Sequence, residues 1–193
     1  MQALDFLIPK INKDEQKFLL KLAKDSIEAC VKTYSLPSVD KSKLSNVLQK
    51  DGACFVTLMI KDKLRGCIGS VVPHKPLYLD VIDNAISASS KDPRFPKLSK
   101  NEFENLTISI SILGDLFEIK YNTLEELFSL IEPFKDGLVL QNGPYQGLFL
   151  PSVWEELPSK DLFLSNLCLK AGFEPSNWHN DIKVYKFRTL YIK

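Results

Sequence analysis

Histidine is scarce in this chain, with two in 193 residues, and its four cysteines never form a CxxC pair. No metal-ligand spacing arises from such a set, so neither a zinc site nor any other metal or cofactor is expected. No apolar run approaches the roughly 20 residues that span a bilayer. The start, Met1 to Asp5, has no basic stretch leading into an apolar one, which argues against a secretory signal. No block of one charge sign occurs either. The 25 Lys and Arg are balanced by 24 Asp and Glu, for a net charge of +1. A nucleic-acid partner, which wants a basic stripe, is therefore not expected. There is no GxSxG elbow, and Gly66-Cys67-Ile68-Gly69 lacks the lysine and following helix of a phosphate loop. Reduced thiols in a cytoplasmic protein are the simplest expectation.

What is present reads as alternating helices and strands. Asn12 and Glu15 form a capping-box start, and Leu19, Leu22, Ala23, Ile27 and Cys30 follow at helical spacing to about Lys32. A short helix is expected over 41–49. The run 53–60 is apolar enough for a strand buried on both faces, and 64–72 is its partner across a charged turn. Pro76 to Ser90 reads as a helix opened by proline. Thr107 to Ile112 alternates strictly, with isoleucines inward and hydroxyls on a wet face. Strands are expected at 117–121, 137–141, 146–150 and 183–191, and helices after Asn122, Pro151 and Asp161, the last stopped by Gly172. Asn142-Gly143 marks a hairpin that Pro144 should widen beyond two residues. The pattern predicts an α+β fold, mainly antiparallel sheet flanked by helices, with a smaller second lobe.

One stretch stands apart. Leu64-Arg65-Gly66-Cys67-Ile68-Gly69-Ser70 puts a cation, a thiol and two glycines into a strand. Cys30, Cys54 and Cys168 sit in apolar patterns and read as core. Cys67 is the candidate catalytic residue. On an extended backbone Arg65 and Cys67 share a face, where the guanidinium would make the thiol more reactive. Gly66 and Gly69 would leave the site unshielded and allow close approach by a ligand. Arg94, in the rigid Asp92-Pro93-Arg94-Phe95-Pro96 turn, is a candidate clamp for a carboxylate or phosphate, with Asp92 beside it. The same residues also fit a sheet bulge whose arginines pair with structural carboxylates and whose cysteine packs. His74 and His179 are the only histidine candidates for a base.

These motifs, with Gly147 to Pro158 and Leu167 to Gly172, resemble the AMMECR-type domain, whose bacterial members are called AmmeMemoRadiSam system protein A. The resemblance runs from about Asn12 onward. It implies a single α+β domain over 1–193 in two lobes, with Arg65 to Gly69 and Asp92 to Phe95 as signature positions. It also implies partners of Memo-like and radical-SAM type. No settled activity comes with it. A cysteine-dependent enzyme, or an enzyme accessory, binding a small anionic ligand near Arg65 and Cys67 is the expectation; a non-catalytic adaptor for those partners is the alternative.

Overall fold

The computed structural model describes residues 8–33, 37–179 and 181–193. It has an α+β architecture with two four-stranded antiparallel sheets. The chain divides into two compact units, one of Pro9–Leu113 with Leu190–Lys193, the other including Gly114–Thr189. Among the described residues no helix is long and apolar enough to cross a membrane.

In the first unit, helix α1 (Lys13–Glu28) opens on the expected capping box, with the Asn12 side chain accepting from the Asp14 and Glu15 amides. It continues as a π-helical turn over Ala29–Thr33. The single helix expected over 41–49 is two short pieces, a 3-10 turn Lys41–Lys43 and α2 (Asn46–Gln49). Strands β1 (Cys54–Ile60), β2 (Lys63–Gly69), β3 (Leu106–Leu113) and β8 (Thr189–Ile192) form a sheet in the order β2-β1-β3-β8, which leaves β2 at an edge. Lys61 and Asp62 both take positive φ in the two-residue β1–β2 turn, as a tight hairpin requires. Helix α3 (Leu77–Ser90) packs on β1 and β2, with Pro76 at its N-cap rather than inside it.

The core of this unit joins Leu22 and Ile27 of α1, Val81 and Ala85 of α3, and Val56, Leu58, Ile110 and Ile112 of the sheet. β1 was expected to be buried on both faces. Instead Cys54, Val56 and Leu58 are buried while Phe55, Thr57 and Met59 are half-buried, so its two faces differ. The hydroxyl face of β3 is wet only at its start: Thr107 is exposed, whereas Ser109 and Ser111 are buried. β3 is internal to its sheet, and a short serine side chain lies below its longer cross-strand neighbours.

In the second unit, β4 (Phe117–Ile119), β5 (Gly137–Asn142), β6 (Tyr145–Phe149) and β7 (Lys183–Phe187) pair in the order β4-β7-β5-β6. Asn142 pairs with Tyr145, so Gly143-Pro144 is a two-residue turn with Gly143 at φ +57, and proline does not widen it. Helix α5 (Leu124–Leu130) is capped by Thr123. Helix α6 (Lys160–Ala171) ends on left-handed Gly172. Trp154 is fully buried, stacks on Phe163 at 3.7 Å, and donates its indole N–H to the Asp136 carbonyl at 2.7 Å. The strand expected over 183–191 is in fact two strands in different sheets, β7 and β8, divided at Arg188.

Candidate functional site

β2 and the loop after α3 carry the site. Along β1 and β2 the pairing runs Phe55 to Gly69, Val56 to Ile68, Thr57 to Cys67 and Leu58 to Gly66, then skips to Met59 with Leu64. Arg65 is the residue skipped. A bulge breaks the regular alternation of side chains here, and Arg65 and Cys67 take different partners: Arg65 bonds Glu102 and the Pro96 carbonyl, Cys67 the Thr57 hydroxyl.

The ladder pattern explains how Cys67 is held. Ser70 N–H donates to the Cys54 carbonyl at 3.0 Å, which makes that pair a hydrogen-bonded one. Alternation then makes Thr57 and Cys67 a non-hydrogen-bonded pair, with side chains close together and the Cys67 backbone groups pointing off the sheet edge. Both consequences are seen. The Cys67 sulfur lies 3.3 Å from the Thr57 hydroxyl. The outward Cys67 N–H donates to Asp92 Oδ2 at 2.9 Å, and Arg94 Nη2 donates to the Cys67 carbonyl at 3.2 Å. Asp92 and Arg94 thus occupy the place a neighbouring strand would take.

Asp92 and Arg94 are themselves paired two ways, Nε to Oδ1 at 2.9 Å and Nη2 to Oδ2 at 2.7 Å. The Asp92 side chain is 2% exposed and that of Arg94 52%. The Arg94 guanidinium holds the Asp92 carboxyl well below the usual carboxylate range, with the Cys67 amide adding to the effect. Arg94 is pushed up in turn, chiefly by its bond to Asp92, with the Cys67 sulfur adding a smaller attraction. Nη1 of Arg94 makes no hydrogen bond among the described residues. Because its carboxylate is committed to Arg94, Asp92 is a poor base. His74 rests on the Val72 carbonyl, and His179 contacts Asn142 and Asp181; neither is bonded to Cys67.

Three of the predicted ligand residues have other work. The Arg65 side chain is 10% exposed, and its Nε meets Glu102 Oε1 at 2.7 Å. Its Nη2 reaches Glu102 Oε2 at 3.2 Å and the Pro96 carbonyl at 2.9 Å. It secures the turn into α4 (Lys100–Phe103), whereas Arg94 is the arginine bonded to the Cys67 backbone. Both guanidiniums lie over the Phe95 ring, at 5.8 Å for Arg65 and 5.5 Å for Arg94. Gly66 leaves no room for a ligand, because a Cβ there would lie 2.2 Å from the Ala88 carbonyl oxygen of α3. Gly69 is covered by Phe55, whose ring a Cβ would meet at 2.3 Å. Thr57 and Glu102 were missed as site residues. The Ser99-x-x-Glu102 spacing marks Glu102 only as a helix cap, and Thr57 carries no motif at all.

The other cysteines divide. Cys54 and Cys168 are buried, and desolvation pushes the first thiol well up and the second to about 11. Cys30 is half-buried and not in the core as expected; it lines a cavity of about 450 Å³ with Ser89, Ser90 and Lys97. Brief alkylation of the folded protein is therefore expected to label Cys67 and Cys30 and to spare Cys54 and Cys168, as peptide mapping would reveal. Early labelling of Cys54 would contradict this packing.

Glu102 is drawn down to about 2, first by Arg65 and then by the Ser99 amide. A depressed carboxyl stabilises the fold above its unfolded value and loses that contribution as pH falls toward the folded one. Here the window runs from 4.5 to about 2. Urea midpoints at pH 5, 4 and 3 are expected to fall in the wild type and to fall less steeply in Glu102→Gln. Parallel slopes would mean that the pair carries no linked stability.

The AMMECR1 family profile matches residues 20–192. A protein of Sulfolobus acidocaldarius is 40% identical over 193 residues, covering 96% of this chain and 84% of the relative. One of Methanosarcina mazei is 36% identical over 186 residues, covering 95% and 93%. The crystal structure of an uncharacterized protein from Pyrococcus horikoshii superposes with a TM-score of 0.87 at 34% identity, over 94% of this chain and 92% of that one.

Proposed function

Given that this chain belongs to the AMMECR1 family, we propose that it is a thiol-dependent enzyme or enzyme accessory of the cytoplasm, acting on a small anionic ligand at Cys67. The observation that carries this reading is the half-exposed Arg94, fixed by Asp92 and the carbonyl of the half-buried Cys67, with no hydrogen bond to its Nη1 among the described residues. Asp92 holds the guanidinium rigid, so little side-chain entropy is lost when an anionic oxygen meets Nη1. Cys67 then supplies the reacting or contacting atom.

The test compares two reagents of similar size and different charge. The ratio of iodoacetate to iodoacetamide rates at Cys67 is expected to exceed that of free glutathione by about threefold or more, and to drop to the glutathione value in Arg94→Ala. A wild-type ratio equal to that of glutathione would defeat the anion site.

A second reading, an adaptor for a Memo-like or radical-SAM partner, draws on the sulfur bonding the Thr57 hydroxyl and no base among the described residues. Under it, Cys67→Ser retains partner co-purification and Arg94→Ala loses it.

A further inference from the structure

We infer that Thr57 is a positioning residue for the Cys67 thiol, its hydroxyl serving as the hydrogen-bond donor that orients and supports the sulfur when it is ionised. The inference rests on the reading of Cys67 as the reacting atom and deepens it. The two side chains meet because the strand register makes them a close non-hydrogen-bonded pair, with Oγ1 and Sγ 3.3 Å apart. A neutral thiol and a hydroxyl can exchange the roles of donor and acceptor. A thiolate can only accept, so ionisation of Cys67 turns the Thr57 O–H toward sulfur without moving either backbone. A hydrogen bond to the charged form favours that form. Thr57 is also well fixed. Its β-branched side chain has restricted rotamers, and its strand is internal, paired with Ser109 on the side away from Cys67.

Asp92 and Arg94 approach from the loop after α3, binding the Cys67 amide and carbonyl. Arg65, on its own strand, is tied to Glu102 of α4. Thr57 is the only partner of the sulfur itself by hydrogen bond among the described residues. The roles therefore separate: Arg94 offers charge to a ligand, and Thr57 sets the reactivity of the thiol.

Thr57→Val keeps the branched shape and the strand preference but removes the hydroxyl. Thr57→Ser keeps the hydroxyl. The rate of Cys67 alkylation by neutral iodoacetamide, followed from pH 6 to 10 with Cys30 as internal control, is the readout. In Thr57→Val the neutral-pH rate is expected to fall about threefold and the profile to rise at higher pH, while Thr57→Ser keeps the wild-type profile. An unchanged profile in Thr57→Val overturns the inference. A loss shared equally by Thr57→Ser also overturns it, since packing and not the hydroxyl would then be the cause. The iodoacetate preference reports Arg94 independently. Its survival alongside an unchanged Thr57→Val profile would remove Thr57 and keep the anion site; its absence alongside a shifted profile would do the reverse.

Discussion

Gly66→Ala is expected to destabilise the first unit by about 3–5 kcal/mol, enough to lower its melting temperature by roughly 10 °C or more. The added methyl would lie 2.2 Å from the Ala88 carbonyl oxygen and 3.2 Å from its carbon. Both are helix backbone, so no side-chain rotation relieves the contact. Ala88 is itself buried within α3. The strand and helix would have to separate, and the interface they share would lose packing along its length. Gly143→Ala is the contrast. Nothing lies within 4 Å of a Cβ there, and only the φ of +57 opposes it, so about 1 kcal/mol is expected. Thermal melting of the two variants tests the comparison. If Gly66→Ala melted like the wild type, the glycine would again be a candidate for close approach by a ligand.

Arg65→Ala should cost about 2–3 kcal/mol. It strips the Pro96 carbonyl and both Glu102 oxygens of a partner. The estimate sits low in the range for a broken buried pair because the Glu102 side chain is 35% exposed and keeps its bonds to Ser99. Arg65→Lys should recover little, since one ammonium cannot reproduce the fork that binds two oxygens and a carbonyl. The iodoacetate preference of Cys67 should survive within about twofold in folded Arg65→Ala, since the guanidinium bonded to Cys67 is that of Arg94. A variant with wild-type melting and no iodoacetate preference would return Arg65 to the role of ligand arginine.

The difference between Arg65 and Arg94 shows where sequence reading stopped. Two-residue spacing on a strand puts side chains on one face only while the ladder is regular. The skip between Leu58 and Met59 breaks that regularity. No residue in β2 announces it except the glycine beside it. Arg94 was recognisable as a fixed arginine because its flanking prolines restrict the turn. Its proximity to Cys67 arose only when the loop after α3 folded against the edge of β2. The capping box at Asn12 forms as its local pattern implies. Arg188 did not interrupt any periodicity, yet the chain passes there from one sheet to the other.

Residue order alone was enough for the kinds of element, their caps, the α+β class and the thiol and cations worth watching. Those features depend on contacts within one helical turn or one strand repeat. Folding in three dimensions chose which guanidinium bonds to Cys67, which glycines are filled by protein, and which hydroxyl touches its sulfur. Each of these depends on register and on groups 10 to 37 positions apart in the chain, and short-range patterns carry no information about such distances.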